Sequence, residues 1–134
     1  MNRAVGVDLD QEPIDYGRAN YLSELRIDQQ RRIKIVRENV MTTKVARVDI
    51  IAAFNFSFFI FKRRQELRKY FAHARKGLKS KGLLMVDCFG GKDVQEANEE
   101  RTDFRGFSYF WDQTGFDPVS NEALFHIHFK RKGE

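Results

Sequence analysis

The stretch from Arg47 to Gly91 limits the possible folds of this chain more than any other. Val48 to Phe54 is mostly apolar without alternation, the pattern of a strand covered on both faces, as in a parallel sheet. Between Lys62 and Ser80 the period changes. Leu67, Tyr70, Phe71, Ala74 and Leu78 recur at three- and four-residue spacing and share one helix face, while Arg64, Arg68, Lys69, Lys76 and Lys79 take the other. Gly82 follows, where a left-handed helix stop wants glycine, and Leu83 to Phe89 reads as a second buried strand. Strand, helix, strand with a short return predicts a right-handed parallel crossover. Ligands of such sheets bind beyond the carboxyl ends of the strands, here Phe54-Asn55-Phe56-Ser57 and Asp87-Cys88-Phe89-Gly90-Gly91.

The rest of the chain extends this pattern. Ala4 to Asp10 is a short strand that ends in acids, and Glu12 to Leu25 a helix with Pro13 in its first turn and Asp10 placed to cap it. Ile14, Tyr21, Leu22 and Leu25 form its expected inward stripe. Asp28 to Arg32 is a polar connection, Ile33 to Val36 the next strand, and Met41 to Ala46 a turn or poor helix. The order is that of a doubly wound α/β sheet. After Gly91 the character shifts: Lys92 to Asp103 reads as a frayed helix, Phe104 to Trp111 is aromatic-rich, and Asp112 to Pro118 is a turn region. Glu122 to Lys130 then alternates, with Leu124, His126, His128 and Lys130 on one side and Phe125, Ile127 and Phe129 on the other. This predicts an antiparallel pair appended to a parallel core. The division expected is residues 1–91 as core and 92–134 as the appended segment, a candidate substrate lid.

Composition closes off several classes. At 134 residues, 42% hydrophobic and 32% charged, the chain fits one soluble domain. No run approaches the roughly 20 apolar residues that cross a bilayer, and residues 1–8 lack the apolar segment of a signal peptide, so the expected location is cytoplasmic. A single cysteine, Cys88, rules out an internal disulfide and argues against a cysteine zinc site; its neighbours predict an inert, buried thiol. The net charge of +5 comes from short clusters, Arg31-Arg32, Lys62-Arg63-Arg64, Arg75-Lys76 and Lys130-Arg131-Lys132, which read as a solvated basic surface ahead of a nucleic-acid interface.

An acid at a strand end suits a ribose, whose two hydroxyls a carboxylate can accept. No glycine-rich phosphate turn stands about 20 residues upstream of Asp8, which weighs against a nicotinamide dinucleotide site. The order of signals resembles a class I S-adenosylmethionine-dependent methyltransferase. The matching pieces are Gly6-Val7-Asp8-Leu9-Asp10, Arg37-Glu38-Asn39-Val40, Asp49 to Ser57 with its Asn-Phe-Ser, Leu78 to Gly91 with its Asp-Cys-Phe-Gly-Gly, and Trp111-Asp112-Gln113. The resemblance covers essentially the whole chain. It implies a partial Rossmann-like doubly wound parallel sheet with the family's first strand and glycine-rich loop absent, and with an appended β-hairpin. In that family the first strand lies between those at Ala4 and Val48. Its loss implies two rows of unpaired backbone groups, a chain truncated at both ends, or a gap filled by direct pairing or by another chain.

Residue by residue, the resemblance implies that Asp8 holds the ribose hydroxyls of S-adenosylmethionine and Leu9 packs on the adenine. Asn39 meets the adenine amino group beside the Val40 backbone, and Phe54 and Asn55 lie along the methionine portion. Phe56, Ser57, Tyr109 and Trp111 are candidates for the acceptor pocket. Taken without the resemblance, Asp8 and Asp10 are solvated helix-start acids, Asp87 and Gly90-Gly91 end a strand and turn the chain, the aromatics are core, and His73 is surface. His126 and His128 share a strand face and could share a metal, but no third ligand is evident. They are the weak candidates for a catalytic base, and no metal is expected. The first reading is a methyltransferase acting on a small molecule without metal or covalent intermediate. The second is a catalytically inert domain that associates through exposed sheet edges, and the third a basic RNA-binding module.

Overall fold

In the computed structural model the described residues are 2–131 and 133. Met1 and Lys132, which entered the reading of the N-terminus and of the last basic cluster, lie outside them, as does Glu134. The chain divides into two compact units, Met1–Asp87 and Cys88–Glu134.

The first unit is built from two parallel strand pairs. Strand β1 (Ala4–Asp8) runs beside β2 (Ile33–Arg37), from Ala4 opposite Ile33 to Asp8 opposite Arg37. Strand β3 (Val48–Ala53) runs beside β4 (Leu78–Val86). The pairs form separate two-stranded sheets, and among the described residues β1 and β3 do not join and each of the four strands is paired along one edge. Helix α1 (Gln11–Gly17) starts on Asp10, whose carboxylate accepts the Glu12 N–H at 3.1 Å. It buries Ile14, then widens into a π-helical turn over Arg18–Leu22. That wider turn breaks the 3.6-residue stripe, and Tyr21, expected inward, is exposed against the edge of Tyr16. The polar connection before β2 contains one helical turn, α2 (Ile27–Gln30).

Helix α3 (Arg64–Gly77) follows a short 3-10 turn, Ser57–Ile60. Its apolar stripe lies where the spacing puts it: Tyr70 and Ala74 are buried, with Leu67 and Phe71 half-buried. The helix stops at Gly77, five residues before the expected stop, because Leu78 turns to extended backbone and pairs with Val48. Gly82 is therefore a strand residue. The register slips between Val48 and Ile50, so Lys79 to Gly82 bulge out of β4. A Cβ on Gly82 would lie 3.0 Å from the Asp49 carbonyl oxygen and 3.1 Å from that of Val48; glycine is needed there for a close backbone approach.

The expectation of strands covered on both faces needs correcting. Ile51, Ala53, Leu84 and Val86 are half-buried on the face toward α3, where Ile51 Cδ1 comes within 3.3 Å of the Cβ position of Gly77. On the other face Ile50, Leu83 and Met85 are exposed, because no element of the unit covers them. His73, read as surface, is half-buried, and its Nε2 lies 2.9 Å from the Thr43 carbonyl oxygen, tying α3 to the β2–β3 connection.

The second unit is an antiparallel sheet of three strands in the order β5 (Asn98–Asp103), β6 (Phe107–Asp117), β7 (Glu122–Arg131). The segment expected as a frayed helix is a short 3-10 turn, Lys92–Gln95, followed by β5. Residues Asp112 to Asp117, expected as a turn, continue β6. Gly115 sits at a register shift within the ladder, and the reversal falls later, at Pro118–Asn121, with Asn121 at φ 57°. Cys88, expected buried, is exposed beyond the end of β4. No helix among the described residues is long and apolar enough to cross a membrane.

Candidate functional site

At the carboxyl ends of β1 and β2 the chain brings Asp8-Leu9 beside Glu38-Asn39-Val40. The ladder continues one step past the strands, with the Glu38 N–H donating to the Asp8 carbonyl at 2.9 Å. Arg37 Nε donates to the Leu9 carbonyl at 3.0 Å, which fixes the chain just after Asp8. One Asp8 carboxylate oxygen accepts the Asp10 N–H at 2.9 Å; the exposed carboxylate keeps its other oxygen for a hydroxyl donor. Leu9 and Val40 are exposed apolar side chains at the same ends. The Asn39 side-chain oxygen accepts the Met41 N–H at 2.8 Å and closes a local turn. One lone pair on that oxygen and the Asn39 amide donors remain for a ligand.

The carboxyl ends of β3 and β4 hold a second constellation. Asn55 and Phe56 both adopt left-handed backbone, at φ 59° and 40°. Asparagine tolerates that region; for phenylalanine it is strained. Asp87, at the end of the neighbouring strand, holds both in place. One carboxylate oxygen accepts the Asn55 N–H at 2.9 Å and the other the Phe56 N–H at 2.7 Å. The latch leaves Phe54 and Asn55 exposed beyond the sheet, with Phe56 half-buried against Phe59 and Ser57 opening the next turn. Sequence reasoning put a strand-ending role for Asp87 slightly ahead of a direct cofactor contact and did not include the latch. The sequence carried only an acid at the carboxyl end of the strand after α3; the register that seats it beside the turn, Ala53 opposite Val86, is set by the tertiary structure.

The remaining candidates belong to the second unit and divide between its two faces. Tyr109 and Trp111 lie on an aromatic face. Trp111 packs on Phe125 at 5.1 Å between ring centroids and on Phe89 at 6.4 Å, and Tyr109 packs on Phe129 at 5.6 Å. His126 and His128 lie on the opposite face, their rings 5.9 Å apart and stacked. His128 Nε2 is 3.4 Å from an Asp112 carboxylate oxygen, and His126 Nδ1 is 3.3 Å from the Thr114 hydroxyl. Strand alternation thus keeps the two histidines out of any pocket that Tyr109 and Trp111 line. No group of three or more metal-ligating side chains occurs among the described residues.

No protein-family model matches this sequence, and no curated protein does. Solved structures do match. A S-adenosylmethionine-dependent methyltransferase from Clostridium acetobutylicum is 17% identical with a TM-score of 0.64, over 97% of this chain and 58% of that one. The glycopeptide N-methyltransferase MtfA, solved with S-adenosylmethionine, is 14% identical with a TM-score of 0.60, over 96% and 60%. DesVI from Streptomyces venezuelae is 10% identical with a TM-score of 0.63, over 95% and 58%. At these identities the likeness is one of fold: the chain has a methyltransferase-like α/β fold. It spans about three-fifths of the length of these three structures.

Proposed function

We propose that this chain is the core, or part of the core, of an S-adenosylmethionine-dependent methyltransferase that acts on a small molecule. One observation carries the reading: a fold like that of such enzymes presents an open carboxylate, Asp8, at the carboxyl end of β1, where α/β sheets bind their ligands. When bound, the cofactor supplies a sulfonium methyl group open to direct displacement by a nucleophile. The chain's own contribution is binding and alignment. In this reading Asp8 accepts the ribose hydroxyls, Leu9 and Val40 flank the adenine, and Asn39 meets its amino group. Phe54 and Asn55 lie along the methionine portion, with Asn55 presented by the Asp87 latch. Phe56 and Ser57 in the first unit, and separately the Tyr109 and Trp111 face in the second, are candidates for contact with the acceptor. No base is assigned to His126 or His128, which lie across the sheet from Tyr109 and Trp111.

Titration calorimetry of the 134-residue chain with S-adenosylmethionine and S-adenosylhomocysteine tests the reading. We expect binding that Asp8→Ala weakens at least about tenfold, the scale of one charge-assisted hydrogen-bond pair lost. Unchanged affinity in Asp8→Ala removes the ribose assignment. A folded chain that binds neither compound supports a second reading, an inert scaffold that works by association. The uncovered Ile50, Leu83 and Met85 and the free edges of β1 and β3 favour that reading.

A further inference from the structure

A cluster of basic side chains in the first unit lies at the end of the β3–β4 sheet away from the carboxyl ends of its strands. An open cleft of about 420 Å³ there is lined by Arg47, Arg75, Lys76, Leu78 and Ser80. Arg47 directly precedes β3, Arg75 and Lys76 close α3, and Leu78 and Ser80 open β4. Both strands run away from it, so about 20 Å of sheet separates it from the Asn55 turn. The cleft is therefore separate from the proposed cofactor site.

Three features distinguish this cleft from an ordinary solvated surface. First, none of the three cations forms an ion pair with a described residue. The nearby acid in sequence, Asp49, is held by Lys79 at 2.8 Å, and that contact lowers its pKa below the usual carboxylate value. Second, complementing the helix end explains only part of the charge. A helix carboxyl terminus offers roughly half a negative charge, against two cations on α3 and a third, Arg47, from outside it. Third, the chain builds the cleft with a bulge. The slip of Lys79 to Gly82 out of the ladder sets Ser80 on the rim, above the buried Leu78. Arg64 and Arg68 continue the charge, because they share a narrow stripe of α3 with Arg75 at spacings of four and seven residues.

We infer that this cleft binds phosphate groups of a polyanion. Arg47 and Arg75 supply planar forks suited to phosphate oxygens, Lys76 a point charge and Ser80 a hydroxyl donor. The stripe on α3 carries the charge onward for a ligand with several phosphates. Free polyphosphate and the backbone of single-stranded nucleic acid share this chemistry.

The test uses the whole chain, with a fluorescently labelled short single-stranded RNA followed by anisotropy from about 50 to 200 mM salt and tripolyphosphate titrated as competitor. We expect binding whose logarithm falls with the logarithm of salt at a slope near −2 or steeper, from about 0.7 per neutralised phosphate. Arg47→Gln/Arg75→Gln/Lys76→Gln should weaken it at least about tenfold and flatten the slope by about two, with the chain still folded and its melting temperature lowered by no more than a few degrees from the lost helix-end charges. Arg75→Glu alone should weaken it further than Arg75→Gln. Competition by tripolyphosphate at equal phosphate concentration identifies free polyphosphate as a sufficient ligand, and RNA binding without competition identifies the extended backbone; both support the cleft. The proposal is overturned if the wild-type chain binds neither probe at the lowest salt. It is equally overturned if the control Arg31→Gln/Arg63→Gln/Arg105→Gln weakens binding as much as the cleft variant.

Discussion

Asp87 shows how much one side chain can decide. Two successive left-handed residues, one of them a phenylalanine, cost of order 1 kcal/mol each in backbone strain. The two N–H groups that the Asp87 carboxylate accepts offset that cost. Because the carboxylate is exposed, water competes, and Asp87→Ala is expected to lose about 1–2 kcal/mol rather than the full value of a buried charged pair. Urea unfolding measures the loss, and amide exchange should report the Asn55 and Phe56 protons as the ones newly opened. Asp117 acts similarly at the β6–β7 reversal, accepting the Ser120 hydroxyl at 2.7 Å and the Val119 N–H at 2.9 Å. The Ser120 bond, then that of Val119, lowers its pKa from the usual 3.8. A carboxylate depressed in the folded state stabilises above its unfolded pKa, and that contribution is lost as pH falls through the folded value. Thermal melts should therefore show Asp117→Asn less stable than wild type at pH 6, with the gap closing below pH of about 4.

The elements show where periodicity suffices and where it does not. Helix α3 was legible because four of its apolar residues, Leu67, Tyr70, Phe71 and Ala74, keep the helical spacing, and the alternation of β7 was legible because its period is two. The end of α3 was not, since Leu78 fits the helical stripe equally well and leaves it only because Val48 offers a strand partner. Two glycines check this account. Gly82→Ala drives a Cβ into two backbone oxygens that cannot yield and should cost about 1–3 kcal/mol. Gly17→Ala meets nothing within 4 Å and keeps ordinary helical backbone at φ −63°, ψ −36°, so it should stabilise by about 0.4–1 kcal/mol. Chemical denaturation of both variants decides it; a neutral Gly82→Ala would remove the close approach from the account. Strand β5 was missed because Asn98 to Asp103 is polar throughout, and no alternation marks a strand exposed on both faces.

At the scale of the whole molecule, burial is sparse. Only Ile14, Tyr70, Ala74 and Leu78 are buried apolar residues among those described. The chain exposes 11139 Å², whereas two separate compact bodies of these sizes would expose about 9,000 Å². Part of the exposed area is apolar: Ile50 is 55%, Leu83 61% and Met85 47% exposed on one sheet face. Such a patch marks an interaction surface or an aggregation liability. We expect the purified chain to gain mass with concentration in sedimentation velocity, and Ile50→Lys/Leu83→Lys to abolish that gain. A wild-type chain that stays monomeric at high concentration would show the face to be tolerated in water.

The sequence alone determined the parallel crossover from β3 through α3 to β4, the strand–helix–strand start, the Asp10 cap and the split of β7 into a histidine side and an aromatic side. Each follows from local periods and caps, which act over a few residues. Tertiary structure decided the rest. It set the early end of α3, the bulge that Gly82 permits, the latch of Asp87 on the Asn55 turn and the separation of β1 from β3. It also put Tyr109 and Trp111 across the sheet from His126 and His128. These depend on which strand lies beside which and in what register, and the free energy that sets them comes from contacts between residues about thirty positions apart, as between Asn55 and Asp87.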